Sequence, residues 1–391
     1  MTDRAASFRP DWVSPPGDTI ADLIEERGWR QAELAARLGY TTKHVNQLIK
    51  GKVAVSEDAA LRLERVLGGR AAFWLAREAQ FRAQQARLAA AARFAQWTAW
   101  LDKLPVKELM QAGALPKRRT DAKGKALLVE ALLGFFGVAS PDEWETHYAG
   151  MAVSYRRTRE EHSDTGAVSA WLRLGEIEAE KLESPRYNRE RFEAALKEMR
   201  NLTVLSPEEF EPRLYELCRG SGVAFVLVPA IPRAHVSGVA RWLNRRPLIQ
   251  LSLYGKTNDR FWFTFFHEAA HLLLHGKKKV FLDDCDSNLV ESEEEREANA
   301  WTGNFLIPQA QAAGLALLKS KAAVEDYSRR IGIHPGINRR SKSGLAACRL
   351  EAGRVQKDIH RQGDGSARQA PRTDKVPQGS ERRRHADGLE T

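Results

Sequence analysis

The sequence predicts a multidomain chain in four parts. These are an all-α N-terminal domain (residues 1–85), a helical connector (86–205), an α+β domain (206–338) and a disordered basic tail (339–391). Three observations carry the division. At 391 residues the chain is too long for one ordinary core. Near residue 206 helical spacing of apolar residues gives way to short β-rich runs broken by Pro, Gly and Asn. From residue 339 large apolar side chains thin out and Arg, Gly, Ser and Gln take over, a composition that cannot bury enough surface to order itself.

The bulk composition, 43% hydrophobic and 29% charged, is that of a globular protein. No uninterrupted apolar run reaches the length of a membrane span, and "MTDRAASFRPDWVSPPGDT" lacks the apolar centre of a secretory signal. Cys218, Cys285 and Cys348 stand far apart with no CxxC, which argues against a disulfide framework and suits the cytoplasm. The net charge of +10 is mostly a property of the tail, which holds 13 Lys/Arg against 7 Asp/Glu. Residues 1–75 hold 11 basic and 10 acidic residues, so charge alone does not mark them as a nucleic-acid binder.

The first part reads as short helices: "DTIADLIEERGW", "RQAELAARLG", "TTKHVNQLIKGK", "SEDAALRLERVLGG" and "RAAFWLAREAQFRAQQARL". Asp18, Thr41 and Ser56 are the expected N-caps, and Gly28, Gly39, Gly51 and Gly68 the expected stops. In "QAELAARLGYTTKHVNQLIKGK" the spacing turns Leu34, Ala35, Leu38, Val45 and Leu48 inward. Thr42, Lys43, Asn46 and Gln47 then share the outer face of the second helix. Lys can donate to guanine O6/N7, and Asn or Gln can pair bidentately with adenine, so that face suits major-groove reading. Gln31, at the start of the preceding helix, is placed for a phosphate. The pattern Gln31, Ala35, Gly39, Val45, Leu48, Gly51 resembles the Cro-like helix-turn-helix family, and the whole stretch is similar to HigA-type antitoxins. The resemblance implies a regulator of a double-stranded DNA operator. Near-neutral charge predicts modest affinity per monomer and hence a homodimer, with phosphate contacts from Lys50, Lys52 and Arg62.

The second part carries no chemical motif. "SPDE" at 140–143 reads as a helix start, with a capping Ser, Pro in the first turn and Glu three residues on, and "RERFEAALKEMRNL" has helical spacing. The third part opens with a helix at "SPEEFEPRLYELC", followed by strand-like "VAFVLVP", "VSGVARWL" and "RPLIQLSL", with helices expected after the strands.

Next comes "FWFTFFHEAAHLLLH", residues 261–275. His267 and His271 are four apart and share one helix face, where two imidazoles can hold one metal ion. Glu268 can accept the proton of a metal-bound water, whose pKa zinc lowers toward ~7. The flanking aromatics and leucines make the helix a core element, and a buried helix carries unpaired His and Glu only at a cost of several kcal/mol. A bound metal removes that cost. A third ligand is still required. Position 277 is Lys, not the His of a metzincin pattern, and His275 reads as a helix-end residue. Glu295, with Asn299 four residues on to orient a ligand imidazole, is the better candidate; Glu297 is the alternative, and the neighbouring Glu291, Glu293 and Glu294 form a solvated face.

"FWFTFFHEAAHLLLHG" followed by "EREANAWTGNFLIP" resembles the ImmA/IrrE family of zinc metallopeptidases over roughly 220–338. The resemblance implies a zincin-like (gluzincin) α+β domain that binds one Zn²⁺ through His267, His271 and Glu295, with Glu268 as base. It also implies a protein substrate, such as a repressor or a partner in a toxin system. Other readings are a regulator whose zincin domain is a sensor or scaffold without turnover, and a plain antitoxin that neutralises a ribonuclease toxin.

Overall fold

The computed structural model describes residues 14–149, 164–252, 257–275, 281–284, 292–312 and 320–337. The tail expected at 339–391, Glu291, Cys285 and Cys348 lie outside the described residues. The chain folds into two compact units. One is built from 14–149, 164–188, 218–252 and 281–284, the other from 189–217, 257–275, 292–312 and 320–337. No helix among the described residues is long and apolar enough to cross a membrane.

The first unit begins with α1 (Pro16–Glu26), α2 (Gln31–Leu38), α3 (Thr42–Ile49) and α4 (Glu57–Leu67). Leu34, Ala35, Leu38, Val45 and Leu48 are buried together, as their spacing requires, and each large side chain contributes roughly 1.5–3 kcal/mol by leaving water. Thr41 and Ser56 cap α3 and α4, accepting from the backbone N–H groups of His44 and Ala59. Asp18 does not cap. It sits inside the first turn of α1, which Pro15 and Pro16 start, and Ser14 Oγ donates to its carboxylate at 3.0 Å. Gly39 ends α2 at φ 72°, a conformation that costs a residue with a Cβ about 1 kcal/mol.

After Arg70 the chain forms α5 (Ala71–Gln96), 26 residues without a break. Trp74 near its start is fully buried with the helix-turn-helix core, and its indole N–H donates to Gly68 O at 3.1 Å. Phe94 near its end packs on a second core. The boundary expected at 85/86 falls inside this helix, so no linker separates the first two parts there.

The second core gathers a 3₁₀ turn (Thr98–Lys103), α6 (Val106–Gln111), α7 (Ala122–Phe136), α8 (Pro141–Trp144, continuing as a π turn to Ala149) and α9 (Thr165–Glu180). Ser140 caps α8 as its sequence suggests, accepting from Asp142 N–H while its hydroxyl donates to Glu143. The sheet joins this core through β1 (Ala224–Leu227), β2 (Val236–Leu243), β3 (Arg246–Leu251) and β4 (Phe281–Asp284), in the order β1-β3-β2-β4. β2 and β3 are an antiparallel hairpin closed at Asn244, whose φ of 58° an Asn tolerates. β1 pairs β3 in parallel, and β4 pairs β2 antiparallel. Strands were expected only before the helices. β4 departs from that: "FLDD" has too few apolar residues to signal a strand and takes its form from pairing with β2.

Buried polar groups fasten α9 to the sheet. Arg241 on β2 donates to Glu176 Oε1 at 2.7 Å and to Leu172 O at 2.7 Å. Glu176 Oε2 also accepts from Arg173 and from the Tyr148 hydroxyl. Gln250 Nε2 donates to Trp171 O at 2.7 Å, and its amide lies against Gly175, where a Cβ would meet Oε1 at 1.9 Å.

The second unit contains α10 (Arg189–Leu202), the larger part of α11 (Pro207–Ser221), α12 (Asn258–Leu274), α13 (Glu293–Leu306), α14 (Gln309–Ala312) and α15 (Lys321–Ile331). Trp262 of α12 meets Phe210 of α11 at 4.9 Å between ring centroids, and Phe266 meets Phe305 of α13 at 5.2 Å. Arg200 of α10 closes two helix ends at once: its guanidinium donates to Leu306 O at the end of α13 and to Ile331 O at the end of α15.

Candidate metal centre and candidate nucleic-acid interface

No Pro or Gly interrupts 258–274, so the aromatic run and the histidines lie on one helix, and α12 is buried from Thr264 through Leu273. His267 and His271 project one turn apart, with ring centroids 4.6 Å from each other. α13 supplies the carboxylate. Ser292 caps it by accepting from Glu295 N–H at 3.2 Å, which places Glu295 in the first turn, where the helix dipole favours an anion. Ser-x-x-Glu at 292–295 has the spacing of a capping box, yet the Glu295 side chain turns to the histidines.

Three donor positions converge. His267 Nε2 lies 3.0 Å from His271 Nε2 and 3.0 Å from Glu295 Oε2, and His271 Nε2 lies 3.4 Å from Glu295 Oε1. A tetrahedral zinc ion with bonds of about 2.0–2.1 Å needs donors roughly 3.3 Å apart, so this triangle has the size of a zinc site. The protonation states also match. Burial pushes the His271 imidazole down to about 4, with smaller help from His267, so the ring is neutral at pH 7 and keeps a lone pair. Burial alone would raise the Glu295 carboxyl, but the imidazoles of His267 and His271 beside it outweigh burial and hold it well below its ordinary value. A neutral His271 imidazole and an anionic Glu295 carboxylate are forms that bind a metal, and a His/His/Glu set suits zinc.

Among the described residues, this is the one group of three or more His, Cys, Asp or Glu with donors close enough to share an ion. Glu268, next along α12 from His267, is fully buried. Asn299 lies one turn beyond Glu295, partly buried on the same helix. Glu297, the alternative ligand, points elsewhere: its Oε2 lies 3.2 Å from His275 Nε2. His275 ends α12 with extended backbone, as expected of a helix-end residue, yet its Nδ1 is 3.0 Å from His271 Nδ1. That contact was not anticipated, although the second four-residue step from His271 to His275 was there to be read.

In the first unit, Thr42, Lys43, Lys50 and Lys52 are exposed on α3 and the turn after it, with Asn46 and Gln47 half-buried beside them. Gln31, expected at a phosphate, accepts from Asn46 Nδ2 at 3.1 Å and joins the two helices. Arg62, also expected at a phosphate, is engaged within the fold: it binds Asp58 at 2.7 Å, donates to Leu38 O at 2.8 Å and stacks over Tyr40.

The comparison with known families bears on both regions. Residues 231–325 match the IrrE N-terminal-like domain, Peptidase_M78. The match spans the β2–β3 hairpin, α12 and α13, and so contains His267, Glu268, His271 and Glu295. Residues 20–74 match a helix-turn-helix model that covers α2, the turn at Gly39 and α3. No curated protein matches the chain. The chain thus joins a helix-turn-helix of the DNA-binding regulator type to an IrrE-like segment of a peptidase family.

Proposed function

We propose that this chain is a cytoplasmic, antitoxin-like DNA-binding regulator whose IrrE-like domain is a zinc endopeptidase acting on a partner regulatory protein. The observation that carries the reading is the triangle of His267 Nε2, His271 Nε2 and the Glu295 carboxylate, with edges of 3.0–3.4 Å. These three residues would hold one zinc ion per chain. When bound, zinc supplies Lewis acidity toward water and toward a peptide carbonyl. Glu268 is the general base: its carboxylate takes the proton of the attacking water and returns it to the departing amide nitrogen. The apolar walls of α12 keep that carboxylate out of bulk water, which strengthens its interactions at the moment of reaction. Asn299 helps to orient a ligand imidazole.

At the other end, Lys43, Asn46, Gln47 and Thr42 read base edges, while Lys50 and Lys52 anchor phosphates, with Gln31 holding Asn46 in place. A homodimer supplies the second half-site.

The test compares cells that express the parent chain with cells that express Glu268→Gln, by sequencing newly formed protein N-termini. A cut in a regulatory protein that needs Glu268, with about one zinc per chain in both purified proteins, is the expected result. Identical N-termini with zinc bound would make the domain a sensor without turnover.

A further inference from the structure

We infer that His275 and Glu297 form a two-residue relay that holds the His271 imidazole in its metal-binding tautomer. The inference rests on the zinc reading of His267, His271 and Glu295 and adds two positioning residues to it.

Glu297 is exposed, at 57% of its side chain, and an ionised carboxylate can only accept. Its Oε2 lies 3.2 Å from His275 Nε2, so that nitrogen is the donor of the pair. His275 Nδ1 is then an acceptor. It faces His271 Nδ1 at 3.0 Å, so His271 must donate there and carry its own proton on Nδ1. That places the lone pair of His271 on Nε2, the atom that stands in the triangle with His267 and Glu295. The Glu297 carboxylate on α13 thus orders two rings in series, His275 and then His271.

The backbone explains why His275 serves here and not as a ligand. α12 ends at Leu274, and His275 leaves the helix at φ −109°, ψ 158°. Its ring centroid stays 5.0 Å from that of His271, tilted by 42°, on the side away from the triangle's Nε2 atoms. The relay runs from the buried ligand to a carboxylate at the surface.

The experiment measures zinc affinity of the full chain by competition with a chromophoric chelator, together with the visible spectrum of the cobalt-substituted protein. His275→Leu should weaken zinc roughly 10–100-fold and alter the cobalt bands, the usual cost of losing an outer partner of a ligating His. His275→Gln keeps one acceptor and one donor and should recover most of that loss. Glu297→Ala, at an exposed position where folding is not at risk, should weaken zinc in the same direction by less. If the parent holds about one zinc and both His275→Leu and Glu297→Ala keep its affinity, the relay is wrong and the metal site stands. Should His275→Leu not fold, an unchanged affinity in Glu297→Ala overturns the relay alone. A parent chain that takes up no zinc overturns the metal reading, and the relay with it.

Discussion

Glu176 accepts from two arginines and a tyrosine hydroxyl at once. It is 11% exposed and faces Arg241, which is 3% exposed, so neither charge has water to fall back on. Burial alone would raise its carboxyl, but the charge of Arg241 and the bond from Arg173 outweigh burial and hold it below its ordinary value. A carboxyl lowered on folding stabilises the fold above its unfolded pKa, and that contribution fades as pH falls below roughly 4.5 through the folded value. Glu176→Gln should therefore cost about 3–5 kcal/mol at neutral pH by leaving Arg241 unpaired, and should flatten the acid limb of a plot of Tm against pH. Denaturant melts at a series of pH values check both effects; an unchanged acid limb would assign acid sensitivity to other groups. Nothing in the sequence pairs Arg241 with Glu176, because the two stand 65 positions apart and only the packing of α9 on β2 brings them together. His267 and His271 were legible for the opposite reason: chelation by one helix demands a fixed four-residue step. Glu295 lay between, since Ser-x-x-Glu reads equally as a cap until its side chain is seen.

Helices reveal themselves in sequence when their punctuation is local. Thr41, Ser56 and Ser140 cap where their spacing says, and Gly39 stops α2. Asp18 misled because two prolines ahead of it already start the helix. β4 stayed hidden because its form comes from its partner strand. Long-range helix ends are equally silent in the sequence. Arg200 sits in an amphipathic helix like any surface arginine, yet it satisfies the carbonyls that end α13 and α15, 106 and 131 positions away. Removing it leaves both carbonyls without that charged donor, at about 1.5–3 kcal/mol for a charge-assisted bond. Arg200→Ala should lower stability by that amount and loosen α13, the helix that bears Glu295. Hydrogen exchange would show the loosening as faster exchange in 293–306, while equal protection would mean that the aromatic contacts of α12 hold α13 unaided.

Across the whole molecule, sequence texture and compactness divide the chain differently. Texture reports local periodicity, so it cuts the chain end to end; compactness reports which stretches meet, and the two units alternate along the chain. The second unit assembles from separate stretches, and such non-local closure is slow compared with the local packing of α1 to α4. His267, His271 and Glu295 all belong to that second unit, and the helix-turn-helix to the first. Within the first unit, α5 runs roughly 39 Å, at about 1.5 Å per residue, with one end in the helix-turn-helix core and the other on the second core. Residues 85–89 at its middle are exposed and belong to neither core. A rod of this kind behaves as a screw thread: each added residue turns one end against the other by roughly 100°, and seven bring it back to within roughly 20°. One alanine inserted after Ala86 should leave the melting temperature unchanged and weaken operator binding, and seven should restore binding; equal affinity for the two would mean that the ends turn freely. The reading head is thus set in azimuth by a count of residues, and residues 85–89 can drift in sequence while their number cannot.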